Sequence, residues 1–251
     1  MTRPTILAYH ALGESRREDD VHNLFLEPAI FERQMEHLAA NKRVVPLDEV
    51  TSGRARGRGC IAITFDDGYR NVAEHAAPVL TRLGLPATIF VPTAFLGARN
   101  TWIEPTSCDV DIMTMEELRA LETDGISVES HGHGHIDYEV ANAEEARDDI
   151  TRSRDILSEG LSKEVRHLAY PYGRSSARSR AVAKELGLTA AYSIDRRHEG
   201  AFSWERVQIT PLDGPRLFAF KCSGYYHLAR RSRVGESAYG LIRPVARALR
   251  R

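Results

Sequence analysis

The sequence predicts an α/β fold built on a parallel sheet. Short apolar runs alternate with helical segments along the chain, and this alternation implies that the strands pair in parallel. The run 61–65 is almost continuously apolar, as expected for a strand that is covered on both faces. A chain of 251 residues with 42% hydrophobic and 27% charged residues is typical of a soluble globular protein with one large domain or two small ones.

The first half of the chain supplies four predicted strands with helices between them. Pro28 marks the start of the first helix, because proline is favoured at the first helical position, and apolar residues at helical spacing continue to about Asn41. A later helix ends at Gly84, a residue type that favours the helix C-cap. The predicted strands here cover 5–9, 44–45, 61–65 and 87–92, and the predicted helices cover 28–41, 47–50 and 71–83.

The second half continues the alternation. Thr114 with Glu117 forms a capping box for a helix that ends near residue 125, and Asn142 with Glu145 forms another for a helix that runs to about residue 159. Gly187 ends a third helix. The remaining predictions are a helix at 175–186 and strands at 126–130, 165–170, 190–194 and 207–209.

Two adjacent carboxylates, Asp66 and Asp67, follow the strand 61–65 and precede Gly68. Parallel sheets place their chemistry at the carboxyl ends of the strands. If the strand geometry persists, the two side chains point to opposite sides, so that one carboxylate can bind a metal while the other stays free as a base. The alternative is an ordinary surface turn, since Asp-Gly is a common turn dipeptide.

Three histidines separated by glycines follow the strand 126–130. Each glycine costs about 1 kcal/mol in a helix relative to alanine, so we expect His131, His133 and His135 to lie in a turn. Imidazole is the commonest metal ligand in proteins, and two imidazoles with one carboxylate leave a coordination position open for water. The alternative is a solvated loop whose histidines bind nothing.

A third strand end has the sequence Leu168-Ala169-Tyr170-Pro171-Tyr172-Gly173. By itself it is also compatible with a simple turn. The order Thr-Phe-Asp-Asp-Gly, His-x-x-x-His and Pro-Tyr-Gly resembles the polysaccharide deacetylase family, carbohydrate esterase family 4, over about residues 6–209. The resemblance implies an irregular (β/α) barrel of about seven parallel strands. We place a catalytic barrel at 1–230 and, from its arginine content, a basic C-terminal tail at 231–251.

The resemblance also implies roles for individual residues. The family's metal ligands match Asp67, His131 and His135, and His133 lies outside that set. Zn²⁺ is the expected metal, although Co²⁺ or Ni²⁺ also suits such a site. Asp66 matches the general base, and the backbone N–H of Tyr172 matches the oxyanion donor. The implied reaction removes an N-acetyl group from a sugar in a polysaccharide, a glycolipid or a glycoside precursor.

The chain departs from the family pattern in three places. Ala169 stands where many members have an arginine that orients the base, so the partner of Asp66 is unknown from the sequence. A late Asp-x-x-Trp element and the C-terminal Leu-x-His that provides the general acid are absent. His10, at the end of the first strand in a Tyr-His pair similar to that of some permuted members, is the predicted acid. His198 and His227 are rivals, and a histidine that only caps the strand is the alternative.

The loop 93–113 is long for a compact domain, and such loops are usually functional or disordered. We expect it to cover the site as a lid. Its tryptophan, Trp102, is expected either to stack on a sugar ring or simply to pack.

Other features of the sequence concern location and partners. A formal net charge of −1 gives no indication of nucleic acid. The N-terminus lacks an apolar core of signal-peptide length, and three widely spaced cysteines fit reduced thiols, so the sequence predicts a cytoplasmic protein. Seven arginines against one acid in 230–251 are compatible with contact to a membrane or a partner, or with a solvated terminal helix.

Alternatives to sugar deacetylation remain open. These are deformylation of a formamido sugar, hydrolysis of a non-sugar amide, and a catalytically inactive carbohydrate-binding relative. The presence of Asp66 beside Asp67 argues against the last of these, because a binding site needs no base.

Overall fold

The structure is a computed structural model that describes residues 4–14, 20, 22–57, 59–102, 111–194 and 200–231. Within these ranges the strands are β1 Thr5–Tyr9, β2 Ala11–Leu12, β3 Phe25–Leu26, β4 Arg43–Val44, β5 Cys60–Phe65, β6 Ala87–Val91, β7 Ser127–Ser130, β8 His167–Ala169, β9 Ala190–Ser193, β10 Trp204–Glu205 and β11 Val207–Gln208. The α-helices are α1 Pro28–Asn41, α2 Leu47–Thr51, α3 Ala77–Leu83, α4 Met115–Thr123, α5 Ala143–Leu161, α6 Ala177–Glu185, α7 Pro215–Lys221 and α8 Tyr225–Arg231.

The main sheet is parallel and curls toward closure. Its strand order is β10-β9-β8-β7-β6-β5-β1-β11, and β4 pairs with the start of β5. β10 and β11 are separated by one residue, Arg206, yet β10 pairs with β9 while β11 pairs with β1. The segment 204–208 therefore joins the two ends of the sheet and counts as the seventh strand of an irregular barrel. The predicted α/β barrel is confirmed.

The central strand β5 is buried along its whole length, as its apolar sequence predicted. It lies between β1 and β6, with Ile63 level with Leu7 and Ala87. On one side of it, the rings of Tyr9, Phe31 and Phe65 pack with centroids 5.5–5.8 Å apart. Burying an aromatic side chain of this kind stabilises the fold by about 1.5–3 kcal/mol, so this cluster gives the carboxyl ends of β1 and β5 a rigid base.

The helix signals of the sequence are confirmed where they depend on local hydrogen bonds. Thr114 and Asn142 both form the predicted capping boxes, and Gly84 adopts the left-handed C-cap conformation. The helix predicted at 71–83 is different, because a π-helical turn at Val72–Ala76 precedes α3. Pro78 has no N–H to bond the carbonyl four residues earlier, which explains why regular α-helical bonding is interrupted there.

Several elements were not predicted. β2 and β3 form a small parallel pair, and α7 and α8 follow the barrel. Lys221 fixes α7 by donating to the Asp213 carboxylate at 2.6 Å and to the Gln208 carbonyl at 2.7 Å. The basic segment from residue 232 onward, Cys108, Asp109, Asp195 and His198 lie outside the described residues. In the described part of the chain, no helix has both the length and the apolar character needed to span a membrane.

Candidate active site

A pocket of about 320 Å³ opens where the carboxyl ends of the barrel strands meet. The three predicted strand ends contribute to it together with the end of β1. Its lining residues are His10, His22, Leu24, Asp66, Asp67, Trp102, His131, His135, Tyr172, Gly173, Ile194 and Gln208. The parallel arrangement thus brings together side chains that are up to 198 positions apart in the sequence.

Asp67, His131 and His135 converge in this pocket. Nε2 of His131 lies 3.3 Å from Oδ1 of Asp67, and Nε2 of His135 lies 3.2 Å from the same oxygen. The three side chains are buried, and their ligand atoms all lie within 4.8 Å of one another. Two imidazoles and one carboxylate in this arrangement form a donor set that suits a divalent metal ion with an open coordination position.

The protonation states of the group also fit a metal. Nδ1 of His131 lies 2.8 Å from the Ala169 carbonyl oxygen and donates its proton there, so Nε2, which faces Asp67, is the nitrogen available to a metal. Burial lowers the pKa of His135, which favours the neutral imidazole that metals bind. Burial raises the pKa of Asp67, but its contacts with the two imidazoles outweigh burial and hold that pKa well below its usual value.

The backbone around the two aspartates does not continue the strand. Asp67 has a φ of 68° and Gly68 a φ of 65°, both in the left-handed region. A Cβ at position 68 would lie 2.9 Å from a methyl group of Val91, so only glycine fits there. The turn gives Asp66 and Asp67 different partners, by a kink in the chain rather than by the strand alternation that the sequence suggested.

The three histidines lie in a turn, as the glycines predicted, and His133 is directed away from the metal group. Its Nδ1 lies 2.9 Å from the hydroxyl of Thr93. The group of potential ligands contains His131 and His135 but not His133. The structure thus separates the three imidazoles into two that face Asp67 and one that packs beside the next loop.

Asp66 is held by Arg206, a residue that the sequence did not indicate. The two guanidinium nitrogens donate to the two carboxylate oxygens at 2.6 and 2.7 Å, and one of them also contacts the Thr64 hydroxyl at 3.2 Å. Arg206 is fully buried in the barrel interior, with its guanidinium 5.3 Å from the ring centroid of Phe90. Burial raises the pKa of Asp66, but Arg206, together with the nearby His131 and His10, outweighs burial, so the pKa is below its usual value and the carboxylate is ionised at neutral pH.

The two arginines near Ala169 in the sequence have other partners. Arg166 pairs with Asp48 at 2.9 Å, and Arg174 pairs with Asp137. The partner of Asp66 is instead Arg206, the single residue between β10 and β11, where the barrel closes. No short-range pattern marks this position, because the contact joins residues 140 positions apart.

The predicted acid and oxyanion residues both border the pocket. Nε2 of His10 lies 3.9 Å from Oδ2 of Asp66, and the His10 side chain is 12% exposed. Tyr172 has a φ of 58°, and its ring packs edge-on against His135 at 4.9 Å. The roles of His10 and of the Tyr172 backbone N–H stay predictions.

Trp102 packs against a potential metal ligand. Its ring is nearly parallel to that of His135, with centroids 4.1 Å apart and planes inclined by 16°, and it also packs edge-on against Phe95, with centroids 4.9 Å apart. Nδ1 of His135 is buried and has no hydrogen-bond partner among the described residues, so ring packing acts together with the loop backbone to set the orientation of this imidazole. The predicted lid continues into residues 103–110, which lie outside the described part of the chain.

Comparison with known proteins was consistent with this geometry. The family model described as polysaccharide deacetylase matches residues 53–191, which include Asp66, Asp67 and the histidine turn. The chain belongs to the polysaccharide deacetylase family. The match extends over more than half of the chain and ends within β9, before Arg206.

Individual polysaccharide deacetylase relatives are distant. YxkH of Bacillus subtilis strain 168 is 24% identical over 215 residues, which is 82% of this chain and 71% of that protein. The poly-β-1,6-N-acetyl-D-glucosamine N-deacetylase of Staphylococcus aureus strain MRSA252 is 25% identical over 191 residues, 71% of this chain and 64% of that protein. The Streptococcus pyogenes deacetylase PplD, solved with acetate, has a TM-score of 0.76 at 23% identity and covers 88% of this chain and 98% of that one.

Of the two rival acids of this polysaccharide deacetylase, His227 lies in the described part of the chain and does not line the pocket. Nδ1 of His227, on α8, lies 3.3 Å from Oε2 of Glu205. His198 lies outside the described residues. Sequence reasoning also missed four residues of the lining, namely His22, Leu24, Ile194 and Gln208. His22 and Leu24 lie before β3, Ile194 follows β9, and Gln208 is the last residue of β11, and no recognisable motif marks any of them.

Proposed function

We propose that this protein is a metal-dependent hydrolase that removes an N-acetyl group from an amino sugar of a glycan or of a glycan precursor. The observation that supports this is that a potential metal-ligand group and a separate carboxylate lie side by side in one pocket. Asp67, His131 and His135 form a donor set for a metal ion, and the neighbouring carboxylate, Asp66, is excluded from that set by its arginine partner. A ligand group and an ionised base side by side are what amide hydrolysis requires.

Asp67, His131 and His135 would hold the ion, with Zn²⁺ as the expected metal and Co²⁺ or Ni²⁺ as alternatives. When bound, it supplies Lewis acidity to the amide carbonyl and lowers the pKa of water in the open position. The geometry at this site fits that role, because Nδ1 of His131 is occupied by the Ala169 carbonyl and Nε2 faces Asp67 as the potential ligand atom.

Asp66 acts as the general base in this proposal. The carboxylate accepts the proton of the attacking water, and the guanidinium of Arg206 keeps it ionised and fixes its plane through two hydrogen bonds. Each carboxylate oxygen retains one lone pair that Arg206 does not use, so a proton can be accepted without breaking the two hydrogen bonds from the guanidinium.

His10 acts as the general acid that protonates the leaving nitrogen. It lines the pocket, and its Nε2 lies 3.9 Å from Oδ2 of Asp66. An amine is a poor leaving group, so protonation must accompany the breaking of the C–N bond. The backbone N–H of Tyr172 is the proposed donor to the carbonyl oxygen as it becomes negative in the tetrahedral intermediate.

The proposed substrate is an N-acetylated hexosamine within an oligosaccharide, a polysaccharide or a glycolipid. The name of the S. aureus relative, a deacetylase of poly-β-1,6-N-acetyl-D-glucosamine, supports this class. Tyr172, which is 53% exposed, and Trp102 both line the pocket. Aromatic faces at a pocket edge suit the apolar face of a pyranose ring.

The experiment measures acetate release from β-1,6- and β-1,4-linked N-acetylglucosamine oligomers, with an N-formyl sugar as a third substrate. We expect acetate release that a chelator abolishes and that Zn²⁺, Co²⁺ or Ni²⁺ restores. His131→Ala should lose metal and activity, whereas the matched control His133→Ala should keep the metal, because His133 contacts Thr93 and not Asp67.

Three outcomes would contradict the proposal. Formate release without acetate release would make the protein a deformylase. Sugar binding without any hydrolysis would make it a carbohydrate-binding relative. Full metal content in a double variant that lacks both His131 and His135 would overturn the ligand set.

A further inference from the structure

Helix α5 directs two buried polar side chains, Asp149 and Ser153, toward the loop that contains His131 and His135. They are one helical turn apart, and their exposed fractions are 7% and 0%. Four-residue spacing places both on the same face of the helix. We call these two residues the α5 clamp. Neither touches the pocket, so neither has a role in the proposed chemistry itself.

Asp149 accepts hydrogen bonds from two successive backbone amides of the loop. The N–H of His133 donates to Oδ2 at 2.8 Å, and the N–H of Gly134 donates to Oδ1 at 2.7 Å. The Tyr138 hydroxyl donates to Oδ2 at 2.5 Å. Hydrogen bonds to a buried carboxylate are about twice as strong as those between neutral groups, so Asp149 fixes the middle of the loop between the two imidazoles.

Ser153 fixes the start of the same loop through Ser130. The two hydroxyl oxygens lie 2.8 Å apart, and the Gly132 N–H donates to the Ser130 hydroxyl at 3.0 Å. Ser130 is the last residue of β7 and directly precedes His131. The α5 clamp therefore holds the backbone on both sides of Gly132.

The loop needs this support because its backbone is unfavourable in isolation. Gly132 has a φ of 78° and His135 a φ of 51°. A non-glycine residue in the left-handed region costs about 1–3 kcal/mol and persists only where surrounding contacts enforce it. His135 has no imidazole hydrogen bond through Nδ1 among the described residues, so the loop backbone is a main determinant of where its Nε2 lies.

We propose that Asp149 is a positioning residue for the metal group, and that its two backbone hydrogen bonds set the distance between His131 and His135. This inference rests on the proposed metal-dependent function. Helix α5, which lies outside the pocket, thereby controls the affinity and the geometry of the metal centre. Ser153 has the same role at the start of the loop, with one hydrogen bond instead of three.

The variant Asp149→Asn tests the proposal with almost no change in shape. An amide offers one acceptor oxygen and one NH₂ group, whereas the two loop amides need two acceptors. In either orientation of the amide, the NH₂ group faces a backbone N–H, so one of the two bonds is lost. The matched control is Asp148→Asn on the same helix, because Asp148 is exposed and its carboxylate accepts a hydrogen bond from the neighbouring Arg152 at 3.0 Å.

The measurements are the Zn²⁺ dissociation constant, by competition with a chromophoric chelator, and the visible absorption spectrum of the Co²⁺-loaded protein. Losing a supporting contact of a metal site weakens affinity by about 10–100-fold, and we expect a loss in that range for Asp149→Asn with a changed Co²⁺ spectrum. Asp148→Asn should match the wild type in both. Thermal unfolding of the metal-free proteins shows how much of any change is loss of stability.

Wild-type Zn²⁺ affinity and an unchanged Co²⁺ spectrum in Asp149→Asn would overturn the inference, even if that variant is less stable. If Asp149→Asn does not fold, the variant Ser153→Ala is measured instead. We expect its Zn²⁺ affinity to fall by at least about threefold, because one hydrogen bond is lost. Wild-type Zn²⁺ affinity in Ser153→Ala would then overturn the inference. Failure of the proposed function is a different result, since the wild-type protein itself would then bind no Zn²⁺ or Co²⁺ at this site.

Discussion

Replacing Arg206 with methionine should destabilise the protein strongly, because it leaves the Asp66 carboxylate buried without its counterion. Both side chains are at most 4% exposed, and both carboxylate oxygens are bonded to the guanidinium at 2.6 and 2.7 Å. Removing one partner of a buried ion pair costs about 3–5 kcal/mol. The variant also loses the contact between the guanidinium and Thr64. We therefore expect the free energy of unfolding at pH 7 to fall by about 3–5 kcal/mol.

The pH dependence of this loss has a definite sign. In the wild type the pKa of Asp66 is lowered, so the pair contributes stability above the unfolded-state pKa, and that stability is lost as the pH falls through the folded-state pKa. In Arg206→Met, burial without the arginine raises the pKa above the unfolded value. The ionised carboxylate then destabilises the fold at neutral pH, and protonation relieves it. The difference between the two proteins should therefore shrink as the pH falls from 7 to 5.

The assay is urea unfolding of the metal-free proteins at pH 7 and pH 5. Arg166→Met is the matched control, since Arg166 pairs with Asp48 at the surface and such pairs contribute about 0–1 kcal/mol. Adding Asp66→Asn to Arg206→Met should recover part of the loss, because it removes the unpaired charge. A loss below about 1 kcal/mol, or no recovery in the double variant, would refute the reasoning.

Three further predictions concern the pocket. Gly132→Ala should lose metal and unfold at lower temperature, since its Cβ would lie 2.5 Å from a carboxylate oxygen of Asp149 in the α5 clamp. Gly187→Ala controls for backbone strain alone, because Gly187 also has a positive φ but a Cβ there would have no atom within 4 Å. His10→Ala should keep its metal content but lose about 10²-fold in kcat on the amide and less on activated esters; a near wild-type amide rate would exclude His10 as the acid. Asp66→Asn should keep metal and lose about 10²–10⁴-fold in turnover, whereas Asp67→Asn should lose metal; metal analysis showing the reverse would exchange their roles.

Local signals in the sequence were sufficient for most of the elements. Capping boxes, the C-cap glycine and apolar runs act through neighbouring residues, so they placed α4, α5 and the strands β1, β5 and β6 within a few positions. The π-helical turn before α3 and the pair β2–β3 were missed. The π-helical turn depends on one proline, and the β2–β3 pair depends on hydrogen bonds between two separate segments. Neither changes the apolar pattern that the predictions used.

What the sequence by itself determined is the set of chemical groups at the strand ends. Asp66, Asp67, the histidine turn and Pro-Tyr-Gly each follow an apolar strand, and parallel pairing brings such ends to one edge of the sheet. The tertiary structure alone decided how these groups are held. Arg206 reaches Asp66 because the last strand closes the barrel, and Asp149 reaches the histidine turn because α5 packs behind it. Contacts of this kind join residues that have no fixed spacing in the chain, so no local pattern can encode them, and only the closed fold defines the partners.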